Sequence, residues 1–355
     1  MANNVKAAFW DMRAEQAQRT LDSQFWNPSI SLYDIKTPCP AGACNTIFHY
    51  WWMAHAVETQ VDGWNRTGDS IYKQRLAMLH QGLLERNGGE WPNNLYDDME
   101  WMAIGWLRAY LIDQDETYGH TAKLLWEDIK TGWNDHVGGG IAWQKTQLDY
   151  KNTPANAPAA ILAARLYQVF GKQEDLEWAI KIYDWLKAVL VDPESGFVWD
   201  GANRLGDGTI DKDWKFTYCQ GVFIGAAVEL YKITGEKGYL EDAIRTWQAS
   251  VEEFASQEAN VLPAEGGGDA GLFKGIFVRY AGELALAMGS GSGSEVADVL
   301  YANASSLWSS VASRGDILFS KRWDESLEEE IELSTQLSGV ILLETAAALE
   351  KSGLK

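Results

Sequence analysis

The chain has 355 residues, long enough for two average domains or for one large helical domain with a sizeable core. Its 30 Lys and Arg against 50 Asp and Glu leave a net charge of −20, which argues against a nucleic acid or an anionic membrane surface as a partner. No apolar run reaches the roughly 20 residues that a membrane-spanning helix needs. The first residues, Met1 to Asn4, lack the features of a secretory signal peptide.

The hydrophobic periodicity predicts twelve α-helices that alternate between amphipathic and almost wholly apolar. The amphipathic helices are predicted at 4–25, 70–86, 118–133, 176–191, 238–255 and 295–311. The apolar helices are predicted at 46–64, 97–113, 158–170, 216–234, 271–288 and 334–349. This alternation is typical of paired outer and inner helices, so we predict one all-α domain over residues 1–355, with six helical hairpins closed into an (α/α)6 barrel. An open solenoid of hairpins is the competing topology, and the apolar inner helices favour the closed ring.

The predicted loops differ in length according to the helix that follows them. The loops that lead into the inner helices are long and include 39–45, 87–96, 137–156, 192–215, 257–269 and 316–333. The loops that leave the inner helices are short. The long loops therefore share one face of the barrel with six helix N-termini, and we expect the active site on that face.

The loop that begins at Trp91 runs directly into two adjacent acids, Asp97 and Asp98, at the start of an inner helix. Acids buried at the edge of a core cost free energy unless they are hydrogen-bonded or used. An N-cap and a favourable helix dipole account for one such aspartate more easily than for two. Paired carboxylates cleave glycosidic bonds, and α-carbons about 3.8 Å apart favour the roughly 5–5.5 Å carboxyl spacing of retaining glycosidases.

Other side chains on the long loops and at the starts of the inner helices are candidates to bind a substrate. They are Asn45, Trp91, Asn94, Tyr96, Trp143, Asn152, Asn156, Trp199, Asp200, Tyr218, Gln220 and Lys274. The chain has 18 Trp and 14 Tyr, a surplus that suits a groove stacking on sugar rings, although inner helices also absorb aromatic residues. For each residue taken singly, a cap, a loop anchor or a core aromatic is the more ordinary role. The convergence of the set on one rim is the stronger argument.

The cysteines bear on the cellular compartment. Cys39 and Cys44 flank a Pro/Gly turn and could close a small disulfide, which would imply an oxidising compartment and would hold Asn45 near the groove. Two reduced thiols in a cytoplasmic enzyme are the alternative. Their spacing fits neither a redox motif nor a zinc site. Cys219 lies in a later apolar helix and is predicted to be a buried thiol.

Three segments of the chain resemble glycoside hydrolase family 76, the endo-α-1,6-mannanases. They are Tyr96-Asp97-Asp98-Met99-Glu100-Trp101-Met102-Ala103, the run 216–221 and the run 273–280. The resemblance covers essentially the whole chain and implies an (α/α)6 fold. It implies retaining, endo-acting hydrolysis of α-1,6-linked mannan or manno-oligosaccharides without a metal or an organic cofactor. It also implies that Asp97 is the nucleophile and Asp98 the general acid/base.

The alternatives concern the reaction and the place where it occurs. A fungal branch with the same paired aspartates implies transfer of glycoproteins into the cell wall, but it carries Gln and Cys where this chain has Met99 and Glu100, so transglycosylation ranks second. A non-catalytic mannan-binding protein would use the same groove, and other (α/α)6 enzymes act on unsaturated uronides. Cleavage of an external polymer implies a secreted or cell-surface protein, with a cytoplasmic one as the alternative. We predict a monomer.

Overall fold

The structure is a computed structural model that describes residues 9–255, 260–313, 315–325 and 328–354. Within these ranges the helices are α1 (Phe9–Phe25), α2 (Tyr50–Thr67), α3 (Ser70–Arg86), α4 (Tyr96–Asp113), α5 (Glu116–Lys130), α6 (Ala157–Phe170), α7 (Gln173–Leu190), α8 (Thr217–Thr234), α9 (Lys237–Phe254), α10 (Ala270–Met288), α11 (Ser292–Val311) and α12 (Leu333–Ser352). The strands are β1 (Trp26–Asn27), β2 (Leu32–Tyr33), β3 (Lys36–Thr37), β4 (Ala142–Gln144), β5 (Gln147–Asn152), β6 (Gly201–Ala202) and β7 (Ile331–Glu332). Single turns of 3-10 helix lie at His136–Gly138 and Thr153–Ala155.

The predicted helices are confirmed in number and in order. The largest difference is at α2, which begins at Tyr50 in place of residue 46 because His49 has a non-helical backbone (φ −85°, ψ 87°). The other helix ends that the structure describes lie within three residues of the predicted ones. Residues 4–8 of the first predicted helix, and 257–259 and 326–327 of two predicted loops, lie outside the described residues.

The alternation of apolar and amphipathic helices is also confirmed by burial. Helices α4, α8, α10 and α12 are buried on almost every side, whereas α5 and α9 bury one face only. Trp101, Trp106 and Trp126 are among the largest fully buried side chains. Part of the tryptophan surplus therefore fills the core, which is the alternative to a sugar-binding groove that the sequence left open.

The chain divides into two compact units, each assembled from segments that are separate in sequence. The first unit consists of Met1–Trp52, Thr59–Gly82 and Phe254–Lys355, and the second of Met53–Glu58 and Leu83–Glu253. Helix α2 contributes to both units. That residues 1–355 form a single catalytic domain stays a prediction.

The first unit is held together by contacts between the beginning and the end of the chain. Helix α12 packs against α1 and α10, and α11 packs against both α10 and α12. The carboxylate of Glu350, near the end of α12, accepts hydrogen bonds from the backbone N–H groups of Phe9 (3.1 Å) and Trp10 (2.8 Å). These N–H groups have no acceptor within their own helix, so Glu350 caps the start of α1.

The second unit brings three of the long loops together. Helix α4 packs against α5 and α6, and α6 packs against α7 and α8. Strands β4, β5 and β6 form an antiparallel sheet that joins the loop before α6 to the loop before α8. Leu95, from the loop before α4, pairs with Gln144 of β4. The loops that precede α4, α6 and α8 are therefore tied to one another by backbone hydrogen bonds.

Candidate active site

Asp97 and Asp98 occupy the second and third positions of α4. The N-cap of this helix is Leu95, whose side chain makes no capping bond, so neither aspartate is the N-cap. Asp97 is half-buried, and Asp98 is only 8% exposed. Free N–H groups in a first helical turn favour negative charge, so the helix supports a carboxylate at this point. The N-cap interpretation of the pair is therefore excluded by the geometry.

The two carboxylates are held by donors from different loops. The indole Nε1 of Trp143, on β4, donates to Oδ2 of Asp97 at 3.1 Å. The amide of Asn93, in the loop before α4, donates to Oδ2 of Asp98 at 3.0 Å. The backbone N–H of Asp98 donates to Oδ1 of Asp97 at 2.9 Å. Each carboxylate consequently has its own orienting donor, and the pair is fixed before a ligand arrives.

Glu100 is a third carboxyl group on the same helix, one turn after Asp97. Its side chain is completely buried. Burial raises the pKa of Glu100 well above its ordinary value, the negative charge of Asp97 adds to the rise, and the backbone N–H of Ala159 opposes it. The neutral acid is therefore favoured, and Glu100 adds little negative charge beside Asp97.

A second cluster surrounds Asp200, which is 4% exposed. Tyr150 donates to Oδ2 of Asp200 at 3.1 Å, and Arg204 binds the same oxygen. The thiol of Cys219 donates to Oδ1 at 3.6 Å, so the predicted burial of this thiol is confirmed. Burial raises the pKa of Asp200, and the charge of Arg204 opposes the rise. The positive charge of Arg204 thus largely compensates the negative charge of Asp200.

The cluster around Asp200 is adjacent to the aspartate pair. The ring of Trp143 meets that of Tyr150 edge to face, with centroids 5.9 Å apart. Burial raises the pKa of Tyr218 well above its ordinary value, and the charges of Asp200 and Asp97 contribute to the rise. Tyr218 therefore keeps its hydroxyl proton, and the charges of Asp97 and Asp200 both act on it.

Three of the predicted binding residues are buried amides that hold the loops. Asn152 caps the 3-10 turn by accepting from the N–H of Ala155 at 3.1 Å. Asn156 accepts from the N–H of Ile141 at 2.7 Å and donates to its carbonyl at 2.9 Å. Gln220 makes the corresponding pair of bonds with Val198, at 2.8 and 2.6 Å. These amides position the loops, and direct contact with a substrate stays a prediction for them.

Four further predicted binding residues of the second unit differ in how far they are buried. Trp91 is buried edge to face against Trp106, with centroids 5.8 Å apart, and Tyr96 is buried with its hydroxyl 3.2 Å from Oγ1 of Thr131. Asn94 is exposed and donates to Oε1 of Gln144 at 3.1 Å and to Oγ1 of Thr146 at 3.2 Å. Trp199 is half-buried beneath the ammonium of Lys212, 4.4 Å from the ring centroid. Asn94 and Trp199 are thus the more accessible members of this group.

Asn45 and Lys274 belong to the first unit. The amide of Asn45 donates to the carbonyl of Tyr33 at 2.6 Å. Lys274 is 3% exposed, donates to the carbonyl of Lys321 at 2.9 Å and lies over the ring of Trp323 at 4.2 Å. Burial lowers the pKa of Lys274 to about 7, with nearby carboxylates opposing the shift. Lys274 is therefore a buried amine that loses its charge far more readily than an ordinary lysine.

The two cysteines of the first long loop are bonded to each other. Cys39 and Cys44 form a disulfide, which is the bridged alternative of the two that the sequence left open. The backbone N–H of Cys44 donates to Oδ1 of Asp34 at 2.9 Å, and Asp34 also accepts from the amide of Asn27. The loop immediately before α2 is therefore held by one covalent bond and a buried carboxylate.

The first unit contains a polar cluster that sequence reasoning missed. Trp51 and Trp52, in the first turn of α2, both donate to Oδ1 of Asp269, at 3.0 and 2.8 Å. The ring of His49 stacks on Trp52 with centroids 3.8 Å apart. Burial lowers the pKa of His49, and the charges of Asp269 and Glu332 oppose this. The signal was available, because all these residues stand within two positions of the start of an inner helix.

Two general properties of the described residues bear on function. None of the helices in the described ranges is both long enough and apolar enough to cross a membrane. Over the same ranges, no three His, Cys, Asp or Glu side chains are grouped so as to hold a metal ion.

Comparison with known proteins identifies the family. The signature of glycosyl hydrolase family 76 matches residues 10–354. The chain belongs to glycosyl hydrolase family 76. Solved structures of the family share its fold class, the (α/α)6 barrel, so the predicted closed ring is confirmed and the open solenoid is excluded.

Two solved structures of high similarity cover nearly all of this family 76 chain. The α-1,6-mannanase of Salegentibacter sp. HEL1_6 is 41% identical, with a TM-score of 0.89, over 96% of this chain and 99% of its own. A Listeria innocua protein is 40% identical, with a TM-score of 0.90, over 96% of this chain and 98% of its own. Inactive variants of the Salegentibacter enzyme, in which two adjacent aspartates are replaced, are in complex with α-1,6-mannotriose and α-1,6-mannotetrose.

The curated relatives of this family 76 chain are longer proteins. A mannan endo-1,6-alpha-mannosidase of Saccharomyces cerevisiae is 27% identical over 267 residues, which amount to 66% of this chain and 57% of the yeast protein. The corresponding enzyme of Candida glabrata is 26% identical over 67% of this chain and 58% of its own length. The chain thus spans little more than half the length of the curated relatives that it matches.

Proposed function

We propose that this protein is a retaining, endo-acting hydrolase of α-1,6-linked mannan or manno-oligosaccharides, with residues 1–355 as one catalytic domain. The observation that carries the proposal is the pair of adjacent carboxylates, Asp97 and Asp98, at the start of α4 with a separate donor on each. Similarity to the Salegentibacter mannanase supports it, since loss of two adjacent aspartates accompanies loss of activity in that enzyme.

In the proposed reaction Asp97 is the nucleophile. Its carboxylate attacks the anomeric carbon, the glycosidic C–O bond breaks, and an ester links the mannosyl unit to Asp97. Asp98 donates its proton to the departing oxygen in the same step. Asp98 then removes a proton from water, the water oxygen attacks the anomeric carbon, and Asp97 leaves as a free carboxylate. Two inversions at one carbon preserve its configuration.

The surroundings of the pair favour this division of roles. The N-terminus of α4 and the indole N–H of Trp143 both stabilise a negative charge on Asp97. Two adjacent carboxylates resist simultaneous ionisation, so a proton on Asp98 is favoured while Asp97 is charged. The charge of Asp97 helps to raise the pKa values of Glu100 and Tyr218, so both groups favour their neutral forms and add little repulsion.

The products formed from linear α-1,6-mannan test the proposal. We expect shorter oligosaccharides, and the first product seen by NMR should have the α-anomeric configuration. Longer products would indicate the alternative transglycosylase, and binding without any change in chain length would indicate a non-catalytic mannan-binding protein. Release of the β-anomer first would keep the carboxylate pair but would remove the nucleophilic role of Asp97.

We propose further that the protein works outside the cytoplasm as a monomer. Cleavage of a polymer outside the cell requires export, and the disulfide between Cys39 and Cys44 suits an oxidising compartment. Such a small ring contributes at most about 2–3 kcal/mol to global stability, so its role is local order in the loop before α2. Sedimentation of the purified protein tests the monomer, and secretion from the native host tests the location.

A further inference from the structure

Three aromatic residues lead from the aspartate pair to the surface of the second unit. Trp214 and Phe216 lie in the extended segment just before α8, in which Phe216 has φ −129° and ψ 139°, and Tyr218 is the second residue of that helix. We call these three residues the aromatic ladder. Side chains two positions apart in an extended chain lie on the same side. The centroids of Trp214 and Phe216 are 6.0 Å apart, and those of Phe216 and Tyr218 are also 6.0 Å apart.

The ladder has an inner and an outer end. At the inner end, Tyr218 is close enough for the charge of Asp97 to act on its hydroxyl. Contacts also connect the ladder to the pair, because Arg204 beside Trp214 lies over Tyr150, whose ring meets that of Trp143, the donor to Asp97. At the outer end, Trp214 is 47% exposed, which is unusual for the side chain with the largest apolar surface. Phe216 between them is half-buried. Tyr218 is half-buried as well, so Trp214 is the exposed member of the three.

Besides Phe216, Trp214 contacts a cation. The guanidinium of Arg204 lies 3.8 Å from the centroid of Trp214 and 4.6 Å from that of Tyr150, so it is stacked against both rings. Arg204 is fixed in turn by ion pairs with Asp200 and with Asp211, the latter at 3.0 Å. The charge of Arg204 is already compensated by these two carboxylates. The contact with Arg204 therefore does not by itself account for an exposed indole at position 214.

The loop before Trp214 is held by hydrogen bonds within itself and to β5 and β6. Asn203 accepts a hydrogen bond from the N–H of Gly208 at 2.8 Å and donates one to the carbonyl of Asp149 at 2.9 Å. The N–H of Asp211 donates to the carbonyl of Gly201 at 2.8 Å. A ring fixed before binding loses little conformational entropy when a ligand stacks on it.

We propose that Trp214 is an outer subsite, on which a sugar ring of the same mannan chain stacks several units away from the bond that is cleaved. This inference rests on the proposed function, because the ladder begins at the proposed nucleophile. The apolar C–H face of a hexopyranose suits the open face of an indole. A linear chain that leaves the aspartate pair along Tyr218 and Phe216 reaches Trp214 only if it is long enough.

Dependence on chain length tests the subsite. Binding of α-1,6-linked oligosaccharides of two to six sugars is measured by calorimetry on protein carrying both Asp97→Asn and Asp98→Asn, alone and with Trp214→Ala or Trp214→Phe. We expect Trp214→Ala to weaken binding of the longest oligosaccharides by about tenfold and to leave the shortest unchanged. Trp214→Phe keeps a ring and should weaken binding of the longest by roughly threefold or less.

A control on the same loop separates the ring from the loop itself. Leu205 is 82% exposed, and Leu205→Ala should leave binding at every length unchanged. Equal affinities for Trp214→Ala and its parent at all lengths would overturn the subsite, as would an equal loss at all lengths. If the parent binds no α-1,6-linked oligosaccharide, the proposed function fails and the subsite fails with it. Binding by the parent with no effect of Trp214→Ala overturns the subsite alone.

Discussion

Replacement of Asn156 by alanine should destabilise the loop that carries Trp143. Asn156 is fully buried and makes three hydrogen bonds with main-chain groups, two to Ile141 and one, at 2.8 Å, to the carbonyl of Asn152. Alanine would leave these groups without partners, at about 1–3 kcal/mol for each. With partial rearrangement, the free energy of unfolding should fall by roughly 3–6 kcal/mol.

The same change should reduce activity, because Trp143 lies two residues after Ile141 and holds the carboxylate of Asp97. Small displacements of a catalytic group are costly, so kcat/KM on α-1,6-mannan should fall on the order of 10- to 100-fold at a temperature where the variant is folded. Unfolding in urea and hydrolysis rates measured on the same preparations give both quantities.

Asn94→Ala is the matched control for stability. The side-chain amide of Asn94 is exposed and donates to side-chain oxygens, which water can replace, so its loss should cost below about 1 kcal/mol. If Asn156→Ala lowers the free energy of unfolding no more than Asn94→Ala does, the anchoring role assigned to Asn156 is wrong. A stable Asn156 variant that has lost activity would instead indicate direct contact with the substrate.

Asp97→Asn and Asp98→Asn should each lower turnover on α-1,6-mannan by orders of magnitude while the melting temperature stays close to that of the parent, and nearly full activity in either would contradict the catalytic assignment. Lys274 has a folded pKa of about 7 against an ordinary 10.5, so the folded state binds fewer protons between these pH values, and stability rises with pH in that window. The free energy of unfolding of the parent, relative to Lys274→Met, should therefore rise by as much as about 5 kcal/mol from pH 7 to pH 10.5, and a flat difference in urea unfolding would refute the depressed pKa. Mass spectrometry of unreduced protein should find Cys39 and Cys44 linked, and free thiols in protein prepared under oxidising conditions would remove the residue-level argument for secretion.

The helices could be predicted from the sequence because their periodicity extends over four or five turns. The short strands could not, since two-residue strands such as Lys36–Thr37 have no period and depend on a partner distant in sequence. The start of α2 was placed too early because Phe48 continues the apolar pattern while the backbone at His49 is not yet helical. The apolar pattern alone does not show at which residue the backbone becomes helical.

The geometry of the candidate site was predictable where neighbouring residues form it and not where it depends on folding. Asp97 and Asp98 are adjacent in sequence, so their pairing needed no fold. The hydrogen bond from Trp143 to Asp97 joins residues 46 positions apart, and only the tied loops bring them together. Sequence reasoning identified Asn156 as a polar residue near the site, but an amide that binds sugar and an amide that binds the main chain look alike in one sequence.

The cap that Glu350 places on α1 affects folding during synthesis. The donor at Trp10 and the carboxylate of Glu350 are 340 residues apart, so at about 5–20 residues per second the first helix waits roughly 20–70 s for its acceptor. Most of the second unit is the continuous segment Leu83–Glu253, which emerges within that interval. Throughout this time α1 lacks α12, the helix against which it packs in the finished protein. Truncation before α12 should therefore leave α1 more open to proteases than it is in the full chain.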